Sequence, residues 1–303
     1  MRFVSTLVLL AACGQAPPAA NPDFSDAMVY VFRSFEASEA ELAYGIRALE
    51  AQTYLSLPVE ASRPQDRAIT PGRLTDADVA GLETPGLPPE DALPVALART
   101  SAFEVDAHAG LPLLVDQTPL EPYSPTFYER DFLEETESCW EDRGCEVLLT
   151  WNDLIKENAL MTVPYTFYKD YRWVDLALPD PLDLEEAGGA LPADHTPRWA
   201  FAARSWMTES AEGENGNTRI LQSYSIEIWY PRDGRGFTLD GTEGLEWDTD
   251  SDATGSLRVL SVWTETEFDG LNVGDDLAAA TTRNGIDDNM KAHESWLEDH
   301  ATP

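Results

Sequence analysis

Three cysteines, a short run of alternating aspartates and a set of aromatic and basic residues are where this chain's side chains could do chemistry. Cys13 closes an uncharged stretch, Phe3 to Ala12, that follows a single cation, Arg2, and ends in Leu10-Ala11-Ala12. That is the layout of an export signal. The stretch is well short of the ~20 residues that a bilayer-spanning helix needs, so removal is expected rather than permanent insertion. Cys139 and Cys145 enclose Trp-Glu-Asp-Arg-Gly, with Gly144 freeing the turn. In an oxidising compartment the economical reading is one local disulfide that pins the start of the following strand. Zinc would need two further ligands, and His108, His195, His293 and His300 show no ligand spacing. Asp248, Asp250 and Asp252 alternate so that their carboxylates could share a Ca²⁺ ion, the only cofactor the residues suggest. Ala253 stands where an EF-hand loop has glycine, and Val259 where it has a bidentate glutamate, so a solvated acidic turn is the first reading.

A second group could line a pocket. Tyr165, Phe167, Tyr171 and Trp173 share one face of a two-residue period, and Trp199, Trp206, Tyr224 and Trp229 stand on further segments of that kind. Such rings could receive an apolar or sugar ligand, with Arg172 and Arg204 as the nearest cations for an anionic contact. Aromatics dominate packing in any sheet, so ordinary core is the first reading and a pocket the second; for the arginines an internal ion pair comes first.

The sequence contains no Gly-x-x-x-x-Gly-Lys phosphate loop, no Gly-x-Gly-x-x-Gly after a strand, no His-Glu-x-x-His and no Gly-x-Ser-x-Gly. A serine triad needs only to meet in space, so a dispersed catalytic site stays open beside a non-enzymatic role, which the missing motifs favour. With 55 acidic residues, adjacent carboxylates arise by chance and identify no acid–base pair.

Leu10, Ala11, Ala12 and Cys13 resemble the lipobox of bacterial lipoproteins at every position. The resemblance implies that Cys13 is diacylated, with palmitate among the chains, and becomes the N-terminus after cleavage. The rest of the chain would then fold outside the cytoplasm, anchored to the cell envelope by lipid. Gly14, not being aspartate, fits release to an outer membrane in a Gram-negative source. The alternative is an ordinary signal peptide cut after Ala12. Residues 1–12 thus read as a signal peptide, and 13–23, made of small residues and prolines, as a lipidated tether. The whole chain also resembles uncharacterised bacterial lipoproteins, which implies no activity.

The elements that must position these residues begin at Phe24. A helical pattern runs to about Leu55 in two pieces, with Ser38 and Glu41 as a capping box and Leu42, Ile46, Leu49 and Thr53 on one face. Prolines and glycines make 58–94 a loop, with one short helix near Thr75, so 24–94 reads as a helical and Pro/Gly-rich N-terminal segment. Residues 95–106 alternate as a strand, and 126–138 read as helix. Four clearer strands are expected at 163–173, 198–207, 220–230 and 257–268. A helix from Asp275 to about Glu298 closes the chain, with Ile286, Met290, His293 and Leu297 in step and Gly285 weakening or kinking it. Residues 95–300 therefore form a main domain, and the class is α+β: N-terminal helices, a mainly antiparallel sheet, a C-terminal helix. This order is similar to the helix-grip arrangement of START-like lipid-binding domains, which implies a curved sheet wrapping the terminal helix around an apolar cavity. A β-sandwich with helical additions is the alternative.

Twenty basic residues against 55 acidic give a formal charge of −35, which opposes nucleic acid and repels anionic lipid headgroups, leaving membrane attachment to acyl chains alone. Lysine occurs only at Lys156, Lys169 and Lys291, so the acidity is a global bias, of the kind a saline medium screens. A hydrophobic content of 43% rules out a disordered acidic chain. The composite expectation is an extracytoplasmic, membrane-anchored protein that binds an apolar or other small ligand or a protein partner. A hydrolase with a dispersed site and a structural envelope protein are the alternatives.

Overall fold

The computed structural model describes residues 23–56, 63–134, 137–157, 161–214, 216–232, 236–240, 244–248, 254–268 and 273–300. Asp23 caps the first helix, α1 (Phe24–Arg33), by accepting the Asp26 N–H at 2.9 Å. The expected capping box opens α2 (Glu39–Ser56): Glu41 accepts the Ser38 N–H at 3.1 Å, and Ser38 Oγ accepts the Glu41 N–H at 3.4 Å. Leu42, Ile46, Leu49 and Thr53 are all fully buried along it.

β1 (Ala68–Ile69) and β2 (Leu93–Ser101) follow, joined by an irregular segment. Near Thr75 there is a turn, not a helix. Both the Thr75 N–H and its hydroxyl bond Asp78 Oδ2, at 2.8 and 2.7 Å, and the chain reverses after one turn. β2 ends at Ser101, earlier than its alternation suggests, and α3 (Val105–Ala109) takes over. Its partner β11 begins there: Gly255 sits so close that a Cβ would lie 2.2 Å from the Ser101 carbonyl oxygen, at a φ of +86°.

Residues 126–138 do not form the expected helix. They give β3 (Tyr128–Phe132) and the start of α4 (Glu137–Glu141), because Tyr128 and Arg130 alternate with exposed neighbours and the backbone pairs with β4 (Leu148–Glu157). Cys139 and Cys145 are joined in a disulfide, Cα atoms 5.2 Å apart, just ahead of β4. The remaining elements are β5 (Thr162–Asp175), α5 (Pro181–Glu186), β6 (Trp199–Trp206), β7 (Ala211–Glu212), β8 (Thr218–Pro231), β9 (Gly236–Asp240), β10 (Gly244–Asp248), β11 (Ser256–Phe268) and α6 (Asp275–His300). The four strands expected from alternation are β5, β6, β8 and β11.

Among the described residues the sheet runs β1-β2-β11-β8-β6-β5-β4-β3, antiparallel throughout, with β7 added to β8; β9 and β10 pair as a separate ribbon. The molecule is α+β, one open sheet with helices on both faces, not two packed sheets. β2 lies beside β11 although they are far apart in sequence, and α6 follows β11 back across the sheet, which is the helix-grip order. One face packs on α1 and α2, with Phe32 edge-on to Trp263 and Tyr224. The other receives α6, with Ile286 and Met290 against Val95, Leu97 and Leu260. α6 is continuous through Gly285, whose bare face lies against the Tyr123 ring.

Candidate functional site

Strand alternation sorts the candidate residues between the two faces. On β5, Tyr165, Phe167, Lys169 and Tyr171 point toward α6; on β8, Ser223, Ser225, Glu227 and Trp229 do the same, and on β11, Leu260, Val262 and Thr264. Ile220 joins them out of phase, because the β8–β11 register shifts between Glu265 and Thr266 and leaves Leu221 without a ladder partner. From above come Thr281, Thr282, Ile286 and Asn289 of α6, and Glu121 and Tyr123 from the segment before β3. Tyr123 donates its hydroxyl hydrogen to Asp288 at 2.9 Å, tying that segment to the helix.

These side chains line a partly open cavity of about 240 Å³ between sheet and terminal helix. It is just under the ~300 Å³ at which sites for drug-sized ligands begin, so it suits a smaller or slender molecule. Its walls are amphipathic: Leu154, Phe167, Met207 and Val262 beside hydroxyls such as Ser205, Ser225 and Thr264. Tyr128 and Tyr165 are pushed well above the ordinary tyrosine pKa by burial, so both phenols stay protonated.

A chamber of about 50 Å³ adjoins the cavity and shares Glu121, Tyr128, Lys169 and Asn289 with it. His108, Arg130, Tyr171, Trp229 and His293 complete its polar and aromatic walls. Lys169 Nζ lies 3.2 Å from Glu227 Oε2, and Arg258 Nε bonds the other oxygen of that carboxylate. Burial disfavours the Lys169 ammonium, but Tyr171 and Glu227 outweigh it and hold the pKa above the usual lysine value. Burial, reinforced by Arg258, pulls His108 down to about 3 and His293 well below its ordinary range, so both imidazoles are neutral.

Tyr165 and Phe167 therefore line the cavity, while Tyr171 and Trp229 line the chamber. Trp173 and Trp199 line neither space; they pack around Trp140, next to the disulfide, in an aromatic cluster that continues into Tyr171 and Trp229. Arg204, Trp206 and Tyr224 stand on the opposite face under α1: Arg204 bonds Glu36 and covers the Phe35 ring, and Trp206 and Tyr224 belong to the helical core. Arg172 also turns that way, donating to the carbonyls of Phe35 and Ala37 at 2.7 Å. Neither arginine lines the cavity or the chamber. The basic groups that line the cavity and chamber are Lys156, Lys169 and Arg130; Lys169 could be placed from its shared period with Tyr165 and Tyr171, but Arg130 lies in a segment whose pattern suggests helix.

The Ser–His contact on this face is incomplete as a hydrolytic site. Ser101 Oγ is 2.8 Å from His108 Nε2, but Nδ1, where a triad has its carboxylate, is buried without a partner. No group of three or more metal-ligating side chains comes together among the described residues. Asp248 ends β10, while Asp250 and Asp252 lie outside the described residues, as does Cys13 with its signal peptide and tether. Among the described residues no helix is long and apolar enough to cross a membrane.

No protein family and no curated protein matches this chain. Solved structures do. The protein TTHA0849 from Thermus thermophilus is 12% identical with a TM-score of 0.33, over 69% of this chain and 99% of its own. Ara h 8.0201 is 13% identical with a TM-score of 0.28, over 68% of this chain and 98% of its own.

Proposed function

We propose that this chain is an extracytoplasmic lipoprotein, lipid-anchored through Cys13, that binds a small amphipathic molecule between its sheet and terminal helix. The observation that carries the binding reading is the 240 Å³ cavity walled by apolar side chains and hydroxyls. A packed protein interior closes such volumes, so a cavity left between sheet and helix fits a ligand better than a filler role. The Ser101–His108 contact, with His108 Nδ1 buried and lacking a carboxylate partner, supports binding over hydrolysis. The anchor rests on Leu10-Ala11-Ala12-Cys13.

The cavity is tested with N-phenyl-1-naphthylamine, an uncharged dye that fluoresces on entering apolar sites. The folded protein raises its fluorescence saturably, and Ser225→Trp, which fills the space, weakens binding at least tenfold while keeping the melting transition. Equal binding by both would refute the site. For the anchor, Cys13→Ser abolishes labelling by radioactive palmitate; continued labelling would contradict it.

A further inference from the structure

Arg130 is the least expected residue in this interior. It is 2% exposed, yet its Nε donates to the Asn152 amide oxygen at 2.9 Å, one terminal nitrogen donates to the Pro112 carbonyl at 2.8 Å, and the guanidinium lies 5.2 Å from the centre of the Tyr171 ring. All three partners are neutral. No carboxylate contacts Arg130 among the described residues, although the chain carries 55 acidic residues. A buried ion is ordinarily paired, and this one is not.

Its neighbours deepen the deficit. Lys169 lies on the same Tyr171 ring, 5.3 Å from its centre, and shares its one carboxylate, Glu227, with Arg258. Glu121, the other acid at the chamber wall, faces Lys156 at 3.7 Å and accepts from the Asn289 amide at 3.1 Å. His108 and His293 add ring nitrogens, the Nδ1 of each, that are buried without a hydrogen-bond partner. Ser101 Oγ accepts the Phe103 N–H at 3.1 Å and hydrogen-bonds His108 Nε2 at 2.8 Å, so only one ring nitrogen of His108 is engaged. The chamber thus combines surplus positive charge with unpartnered ring nitrogens, inside a chain whose bias is strongly negative.

We propose that this chamber seats the ionised carboxylate of the ligand, against Arg130 and Lys169, while the ligand's apolar body occupies the larger cavity. The inference rests on the ligand-binding reading above. At about 50 Å³ the chamber has room for a group of roughly three or four water-sized atoms, which is the size of a carboxylate. A guanidinium matches a carboxylate in a planar, charge-assisted pair, and such a pair is strongest where water is excluded. The ligand class is accordingly a monocarboxylic acid with a slender apolar tail.

The probes are decanoate and 1-decanol, alike in tail and different in head, titrated calorimetrically into the full chain carrying Cys13→Ser so that no acyl chain competes. Decanoate is expected to bind at least tenfold more tightly than decanol. Arg130→Met and, as a milder change, Lys169→Gln each reduce that ratio at least fivefold while decanol affinity stays within twofold. The ratio is read within each folded protein, so a variant that is merely destabilised does not mimic the result. Decanol binding as tightly as decanoate would overturn the carboxylate seat and leave the cavity reading standing. Binding of neither probe would overturn both.

Discussion

Asp170 and His108 are buried ionisable groups with opposite consequences for stability. Asp170 is 6% exposed on the α1 side of β5, and burial pushes its carboxyl up to about 7, with Arg204 opposing and Glu36 adding to the rise. Its folded pKa is above its unfolded value near 4, so the unfolded chain releases this proton first. Stability is full below pH ~4 and declines as pH rises toward 7. Asp170→Asn removes that slope: in thermal melts the variant loses less between pH 5 and pH 8 than the wild type and melts higher at pH 8. An unchanged slope would show that Asp170 ionises freely in the fold. His108 works the other way. Held near 3 in the fold against an ordinary value near 6.5, it removes stability as pH falls through that window. At this scale the sequence was partly legible. Alternation groups Tyr165, Phe167 and Lys169 on one face of β5, because side-chain direction along a strand is local, but Arg204, Trp206 and Tyr224 read as pocket residues beside them although they lie on the opposite face of the sheet. Which side faced the cavity was not legible, since α1 and α6 each present an apolar surface to the sheet.

Between elements, α6 is held by a charge cluster as much as by its apolar stripe. Asp287, 1% exposed, accepts from Arg67 at 2.6 Å and Arg99 at 3.1 Å and pairs with Lys291 at 2.7 Å. Burial alone would raise this carboxyl, but the hydrogen bonds from Lys291 and Arg67 prevail and hold it below the usual range. Asp287→Ala leaves the Arg67 guanidinium buried and uncompensated and is expected to cost about 3–5 kcal/mol in urea unfolding. Glu267→Ala, which breaks the half-exposed pair with Arg219, is expected to cost under about 1 kcal/mol. Equal losses would mean that the cluster does not grip the helix. The strongly periodic elements, α2 with its capping box, β5, β6, β8, β11 and α6, could be read directly. β3 could not: its exposed Glu129 and Asp131 have the look of a helix's solvent face, and only pairing with β4 imposes the strand. The buried Arg67–Asp287 bond joins residues 220 positions apart, and no local pattern announces such a contact.

For the whole molecule, a charge of −35 sets the background against which every contact forms. Self-repulsion of that size strains the compact state, and salt screens it. The melting temperature is therefore expected to climb steadily as NaCl is raised from low to molar concentration; a flat response would remove self-repulsion as a determinant of stability. The same global bias makes an interior with surplus positive charge conspicuous, and it gathers where the sheet and the terminal helix enclose empty space. The account stands on that space holding a molecule in life. Native mass spectrometry of the protein purified from its own source, with the mass of its lipid anchor subtracted, tests this most directly. A recurrent small adduct, released on unfolding and absent from Ser225→Trp, is the predicted result, and an adduct-free spectrum in repeated preparations would contradict it.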